Sequence, residues 1–507
     1  MFTYSVLIAL SLLAFSGGVV QAESASSPAS IATKTCQQLQ SSLGPSTVQT
    51  SSGPRYSIGA NAAWSTFNDE VNFSPTCIVF ANSTSDVQTA MTAIYHNGAD
   101  YAVQSGGHSG MTGWNTIQNG VLISFINMSA ISYDAGSNTI TLEPGVRWGD
   151  AIDFLEPFGV AAVGGRVSEV GTGLLLGGGL SFLSPSQGYA SDNYVSLDVV
   201  LVDGTVVTAT VNNQHADLFK ALKGGGNRFG IVTKYVVRAV HTGTEQDKPF
   251  LGGIFTYPNS SSDALLGAFA HYAYQINDKN AILTNEIRTT WQNGSLDFSH
   301  TVVMIYNGTQ ASFNKTFAEF LSIPSATSLI APFSYHDLVN AVSFPDGLGT
   351  VFGGIALGGV SAHSSFDNYL EVYRLYSNFS ATFASSPDIA FTLLDFTTVP
   401  KTQIQAGCEK GGNPMISNPA TNGFNEVLFQ VSYNEGVTQA PADVEKGRQY
   451  VLAKAPITPG LPLFLNEADA NQQVFASYGN YKFLKQVYAK YDPTRFNVGH
   501  TQGPLGL

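Results

Sequence analysis

The sequence predicts an α+β fold, and three observations carry that expectation. From about residue 55 to 242, short apolar strands and helical stripes are punctuated by tight glycine clusters. Around residue 243 the texture changes. HTGTEQDKP reads as a linker, and from 246 to 465 longer strand-like runs (Phe250 to Tyr257, Ala281 to Trp291, Thr301 to Tyr306, Val427 to Tyr433) alternate with helical stripes such as Leu265, Phe269 and Ile276. That is the pattern of an antiparallel sheet with helices on one face. Past residue 470 the chain returns to a helix, Tyr481 to Tyr491, which Asp492-Pro493 stops.

The elements follow in order. Residues 1 to 22, MFTYSVLIALSLLAFSGGVVQA, form an apolar run closed by small residues, with Val20 and Ala22 placed for a cut before Glu23. This reads as a signal peptide, although its first residues lack the usual Lys or Arg. The apolar stretch from Val6 to Phe15 is too short for a membrane span. Residues 23 to 54 are rich in Ser, Ala and Thr, a flexible leader apart from a short helix around Cys36. Thr76 to Phe80 is a strand. Ser83 to Ser85 cap a helix with Val87, Met91 and Ile94 on one face, and Gly98 ends it. Val121 to Ser124, ISYD and TITLEPG read as strands, and Arg147 to Phe158 as a helix striped by Trp148, Ile152 and Leu155. Val195 to Val202 and Thr205 to Thr210 flank Asp203-Gly204, a strong hairpin signal.

The stretch that points to chemistry is YAVQSGGHS, Tyr101 to Ser109. A short strand runs into two glycines, whose backbone freedom lets successive N–H groups converge on one concavity. Such nests bind anions, most often phosphates. Taken alone, these residues also fit an ordinary glycine turn with a surface histidine. Two further glycine clusters change that balance, one packed from Gly164 to Gly179 and one in ALKGGGNRFGIVTKYVVRAV.

Composition bounds the function. The chain has 507 residues, enough for two or three domains, with 44% hydrophobic and 12% charged residues. A net charge of −13 argues against a nucleic-acid partner, and no polybasic segment favours an anionic membrane surface. Sequons at Asn72, Asn82, Asn127, Asn259, Asn293, Asn307, Asn314 and Asn378 fit a secreted glycoprotein. The cysteines are Cys36, Cys77 and Cys408, an odd count that suggests one bridge and one thiol. Cys36 and Cys77 both precede the glycine loop and are the expected pair. Cys408 reads as a small buried hydrophobe. His215, His241, His271, His336 and His363 are scattered without metal-ligand spacing, and no G-x-S-x-G elbow supports hydrolysis.

The order SGGHS, then V-G-G-R…L-G-G-G-L, S-L-D-V-V-L-V-D-G, G-G-G-N-R-F-G-I-V-T and Y-G-N-Y…Y-D-P…F…Q-G-P resembles the berberine-bridge-enzyme-like FAD-linked oxidoreductases of the vanillyl-alcohol-oxidase or PCMH group. The match runs from about Arg55 to the C-terminus and is specific mainly across 70 to 242 and 478 to 504. The resemblance implies a two-part PCMH-type FAD-binding domain, residues 55 to 242 completed by a C-terminal segment at 470 to 507. Between them lies an inserted antiparallel-sheet-plus-helices substrate domain at 246 to 465. It further implies that Ser105, Gly106, Gly107 and Ser109 cradle the FAD pyrophosphate and that His108 is joined covalently to the flavin ring. Gly164, Gly165, Gly171, Gly173, Gly177, Gly178 and Gly179 would line the flavin. Gly225, Gly226, Asn227, Gly230 and Val232 would complete the pocket, and Asn480 would face the ring. Relatives with a second, cysteinyl flavin bond carry it in the segment that here reads VGGRVSEVGTG, which has no cysteine, so a single link is expected.

The activity so implied is transfer of a hydride from a small organic alcohol or natural-product intermediate to FAD, with O2 as final acceptor. The base would be Tyr478 of the Y-x-N-Y segment, with Tyr481 as alternative; Tyr433, sharing a strand face with Val431 and Phe429, is a further candidate. An oligosaccharide oxidase, a flavin-dependent monooxygenase, an FAD-retaining binding protein and a cofactor-free scaffold are the competing readings. A catalytic flavin would bleach with substrate and recover in air, and a scaffold would be colourless.

Overall fold

A computed structural model of the chain describes residues 27–292, 295–341, 345 and 347–507. The expected signal peptide, the first leader residues and the sequon at Asn293 lie outside them. Residues 28 to 49 depart from the flexible leader expected from composition. Pro28–Leu43 is a helix whose first turn is capped by Ser27 and opened by proline. Ala32, Cys36 and Leu39 recur at helical spacing and are buried against the helix Thr84–Asn97. Cys36 is bonded to Cys77, which anchors the segment to the first sheet. Small residues disguised this stripe, because Ala and Thr give little hydropathy contrast.

Two sheets build the first half. Cys77–Phe80, Val121–Ser124 and Tyr101–Gln104 lie parallel in that order, with the short strand Val48–Gln49 antiparallel at the edge. Cys77–Phe80 and Val121–Ser124 are buried throughout, as expected for parallel strands covered on both faces. Ser83 caps the helix Thr84–Asn97, and Gly98 ends it in the left-handed conformation. The second sheet is antiparallel, in the order Ile131–Asp134, Thr139–Leu142, Ile231–His241, Tyr194–Val200, Val206–Thr210, with Val160–Ala162 also paired to Ile231–His241. The Asp203-Gly204 hairpin forms as its turn residues require, with Gly204 at φ 87°.

The second half is one large antiparallel sheet. Its order is Thr327–Ser328, Phe250–Pro258, Ser295–Asn307, Ala281–Gln292, Ile389–Val399, Phe424–Tyr433, Gly349–Gly358, with Ala331–Phe333 on the same edge as Thr327–Ser328. Helices Ser262–Gln275, Asp367–Thr382 and Ala442–Lys454 cover one face. The strand period of two therefore divides every strand between a helix-facing and an opposite set. On Phe424–Tyr433 the residues Val427, Phe429, Val431 and Tyr433 enter the core beneath the helices, whereas Leu428 and Gln430 face the other way, toward the first half.

The C-terminal segment packs back onto the first half. Tyr481–Tyr491 is a helix that ends at Asp492. Beyond it, buried Arg228 donates to Asn497 Oδ1 (3.2 Å) and to the carbonyls of Thr501 (2.9 Å) and Pro504 (3.3 Å). Among the described residues, no helix is long and apolar enough to cross a membrane, and no group of three His, Cys, Asp or Glu is placed to hold a metal ion.

Candidate active site

The loop after Tyr101–Gln104 lies where both halves meet. Its glycines are required by contact rather than by the turn alone. A Cβ on Gly107 (φ 75°) would stand 2.4 Å from the Ala62 carbonyl oxygen. One on Gly106 would lie 2.6 Å from the Gly171 nitrogen, and one on Gly171 would lie 2.5 Å from the Gly106 nitrogen. Two glycine loops thus touch backbone to backbone, which only residues without side chains permit. Asn115 Nδ2 (2.7 Å) and the Trp64 N–H (3.1 Å) both donate to the Gly107 carbonyl, and Arg147 Nη2 donates to that of Gly106 (3.3 Å). Ser105 Oγ donates to the Pro144 carbonyl at 2.5 Å, closing the base of the loop.

His108 stacks on Trp64, with ring centroids 4.2 Å apart and planes inclined by 14°. Burial, helped by the nearby Arg147 charge, lowers its pKa to about 4. An indole face favours a cation by about 0.5–2 kcal/mol. The net shift corresponds to about 3 kcal/mol the other way, so burial wins and the imidazole is neutral at physiological pH.

A cavity of about 620 Å³ opens beside this loop, within the range of small-molecule and cofactor sites. Its wall runs from Tyr101, Val103 and Phe125 of the first sheet, past Ser105, Gly106, Gly107, His108 and Ser109, to the uncovered face of the large sheet. Gly171, Gly173, Asn227, Gly230 and Val232 also line it. Arg166 is the one cation among the described lining residues. A cavity of this volume, lined by two glycine loops in backbone contact and by that single side-chain cation, fits FAD, whose diphosphate glycine-rich backbone can bind.

Several expected site residues lie elsewhere, each for a packing reason. Gly164 and Gly165 are absent from the wall and accommodate the Trp148 ring, which a Cβ would strike at 2.2 and 2.4 Å. Gly177 makes room for Asn466, Gly178 for Met415, and Gly179 for Leu174 and Ala190. Gly225 is pressed by Phe229 and Gly226 by Leu465. Asn480 sits at the start of the helix Tyr481–Tyr491, where its N–H bonds the Pro414 carbonyl rather than facing the cavity.

The tyrosines are likewise outside the wall. Tyr478 is buried and donates to the Gly224 carbonyl (3.1 Å), and burial raises its pKa, so it carries no phenolate at neutral pH. Tyr481 donates to the Gly506 carbonyl (2.6 Å). Tyr433 does share a face with Val431 and Phe429, but that face meets the helices, where its ring packs 5.1 Å from Phe67.

In their place the cavity presents carboxyl groups that the sequence reading missed. Glu286 and Asp395 are direct cross-strand partners, and Glu467 ends the short helical turn Leu465–Glu467 that precedes the C-terminal segment. Arg166 Nη1 donates to Thr397 Oγ1 (2.8 Å), while its Nη2 lies 3.8 Å from Glu467 Oε1. Burial raises the pKa of Asp395 to about 6 against the pull of Arg166. Burial, with repulsion from Asp395, raises Glu286 and Glu467 to about 7. These groups titrate as a coupled set. A signal for them existed: Asp395 stands in FTLLDFTTV and Glu286 in LTNEIRTT, each a carboxylate within a run that otherwise reads as buried strand.

Residues 75–210 match the family model described as an FAD binding domain. The chain is 30% identical over 452 residues to an uncharacterized FAD-linked oxidoreductase of Arthroderma benhamiae, spanning 85% of this chain and 87% of that one. It is 29% identical over 471 residues to an FAD-dependent monooxygenase of Penicillium terrestre, spanning 91% and 86%. In structure it resembles the carbohydrate oxidase of Microdochium nivale, with a TM-score of 0.73 at 19% identity, covering 94% of this chain and 100% of that one. Sequence relatives that span almost the whole chain, and a fold that brings the glycine loops to one cavity, lead to the same assignment: this chain belongs to the FAD-linked oxidoreductases, with the PCMH-type fold of their berberine-bridge-enzyme-like group.

Proposed function

We propose that this enzyme is a secreted oxidase that removes a hydride from a small organic alcohol or natural-product intermediate, with FAD held covalently through His108 alone and O2 as the electron acceptor. The observation that carries the reading is the Asp395 carboxyl group, which shares one largely apolar cavity with the His108 loop and is poised by burial near neutral pH. Bound FAD supplies the hydride acceptor and the path of electrons to O2.

The chain supplies the rest. Phe352, Leu393 and Leu428 offer an apolar surface to the body of the substrate and keep water away, while Gln430 and Thr284 offer hydrogen bonds to its polar end. Ionised Asp395 accepts the proton of the substrate hydroxyl. Arg166 favours the ionised form, and the charge of Asp395 helps keep Glu286 and Glu467 protonated beside it. Secretion is supported by the N-terminal apolar run, by the Cys36–Cys77 bridge, and by the exposure of Asn72, Asn82, Asn127, Asn259, Asn307, Asn314 and Asn378.

The test is anaerobic mixing of the yellow holoenzyme with a panel of aromatic and aliphatic alcohols. Flavin colour should bleach with at least one, return in air and yield peroxide, and Asp395→Asn should slow the bleaching by about 10²-fold or more. Equal bleaching rates in the two proteins would remove Asp395 from the reaction. The relative from Penicillium terrestre favours a second reading, monooxygenation. Labelled dioxygen separates the two: an oxidase places the label in peroxide, a monooxygenase places one atom in the organic product.

A further inference from the structure

We propose that Trp64 is a positioning residue for covalent flavin attachment, its indole fixing the plane of the His108 imidazole. The inference rests on the covalent reading above and adds to it a residue outside the glycine loop. Trp64 follows the short helix Tyr56–Ala60 and belongs to a segment that is tied to both halves of the molecule. Its N–H donates to the Gly107 carbonyl (3.1 Å). The next residue, Ser65, exchanges hydrogen bonds with the Thr350 backbone, its Oγ accepting from the Thr350 N–H (2.9 Å) and donating to the Thr350 carbonyl (2.9 Å). The Thr66 N–H donates to the Leu348 carbonyl (3.1 Å).

The rings close the circuit. The indole is in ring contact both with the imidazole (4.2 Å) and with Phe352 of the large sheet (6.0 Å, planes inclined by 41°). Gly110, two residues past His108, packs on that same phenyl ring: a Cβ there would stand 2.5 Å from it. His108 follows two glycines, whose backbones are the most permissive in the loop. Near-parallel stacking fixes its plane, whereas a nitrogen lone pair lies in that plane and points out through the ring edge. Burial also keeps the imidazole neutral, the form that has a lone pair to give.

One C–H bond of a methyl group on the flavin ring breaks, and a C–N bond to the imidazole replaces it. The methyl group and the imidazole N–H each release a proton. The two electrons of the broken C–H bond pass through the ring to dioxygen, which leaves as hydrogen peroxide.

The experiment measures acid-insoluble flavin as a fraction of total flavin in purified holoenzyme, with the melting temperature of each protein as a control. Trp64→Leu should lower the fraction at least about threefold, because small misplacements cost large factors in rate. Trp64→Phe, which retains an aromatic plane, should restore most of it. An unchanged fraction in folded Trp64→Leu overturns the proposal, as does equal failure of Trp64→Phe. Should Trp64→Leu not fold, Phe352→Leu removes the phenyl ring that contacts the indole and should also lower the fraction; no change there overturns the proposal too. Wild-type protein whose flavin is entirely acid-soluble refutes the covalent reading itself, and the inference with it, a failure visible before any variant is made.

Discussion

Asp395 and His108 are half-buried in the wall of one cavity, and desolvation moves their pKa values in opposite directions because one gains charge on losing a proton and the other loses it. If Asp395 is the proton acceptor, flavin bleaching by substrate should accelerate as pH rises through about 6 and then level off. Asp395→Asn should abolish that rise. Stability has the opposite sign. Asp395, Glu286 and Glu467 keep protons in the folded protein that the unfolded chain has already released, so their stabilising contribution is complete below about pH 4 and is lost as pH rises through about 6 to 7. The melting temperature of Asp395→Asn should therefore gain on that of wild type from about pH 5 to 8. Tyr478→Phe tests the residue that motif reasoning favoured. It should leave bleaching within about twofold and cost about 1 kcal/mol of stability, because it removes one hydrogen bond to Gly224. A hundredfold loss of rate would return the tyrosine to the mechanism. The SGGHS loop was legible because glycine chemistry is local. Trp64 and the carboxyl groups were not, because their meeting depends on strand register and on contacts between residues far apart in sequence.

At the level of elements, period and punctuation carried most of the reading. Ser83 and Gly98 bound their helix as their types require, and the Asp203-Gly204 turn joins its two strands. Alternation placed Tyr433 on the right face of its strand but could not say which face held the cavity, since both are buried. Glycine density misled in another way. The Gly164-Gly165 pair exists for Trp148, a core contact that no local pattern announces. The N-terminal helix was hidden by its composition, and the bridge from Cys36 to Cys77 gives it a measurable role. Replacing both cysteines by serine removes a cross-link across a sequence separation of 41, worth about 4 kcal/mol in the chain-entropy model. Limited proteolysis should then cut first near residues 28–49; an unchanged cleavage pattern would show that packing alone holds the helix.

Across the whole molecule the chain folds forward and then returns. Two small sheets carry the glycine loops, a large sheet supplies the opposite wall, and the final segment comes back so that Arg228 binds the carbonyls near the C-terminus. The ordered glycine motifs made this plan legible as a resemblance, and the cavity lies where the parts meet. In the proposed arrangement His108 would hold the flavin in the cavity that the carboxyl cluster also lines. The direct measurement is mass spectrometry of a proteolytic digest of acid-precipitated protein, beside His108→Ala. The peptide containing His108 should carry the mass of FAD, and the variant's pellet should be colourless. Flavin released completely into the acid supernatant of the wild type, or found on another peptide, would contradict it.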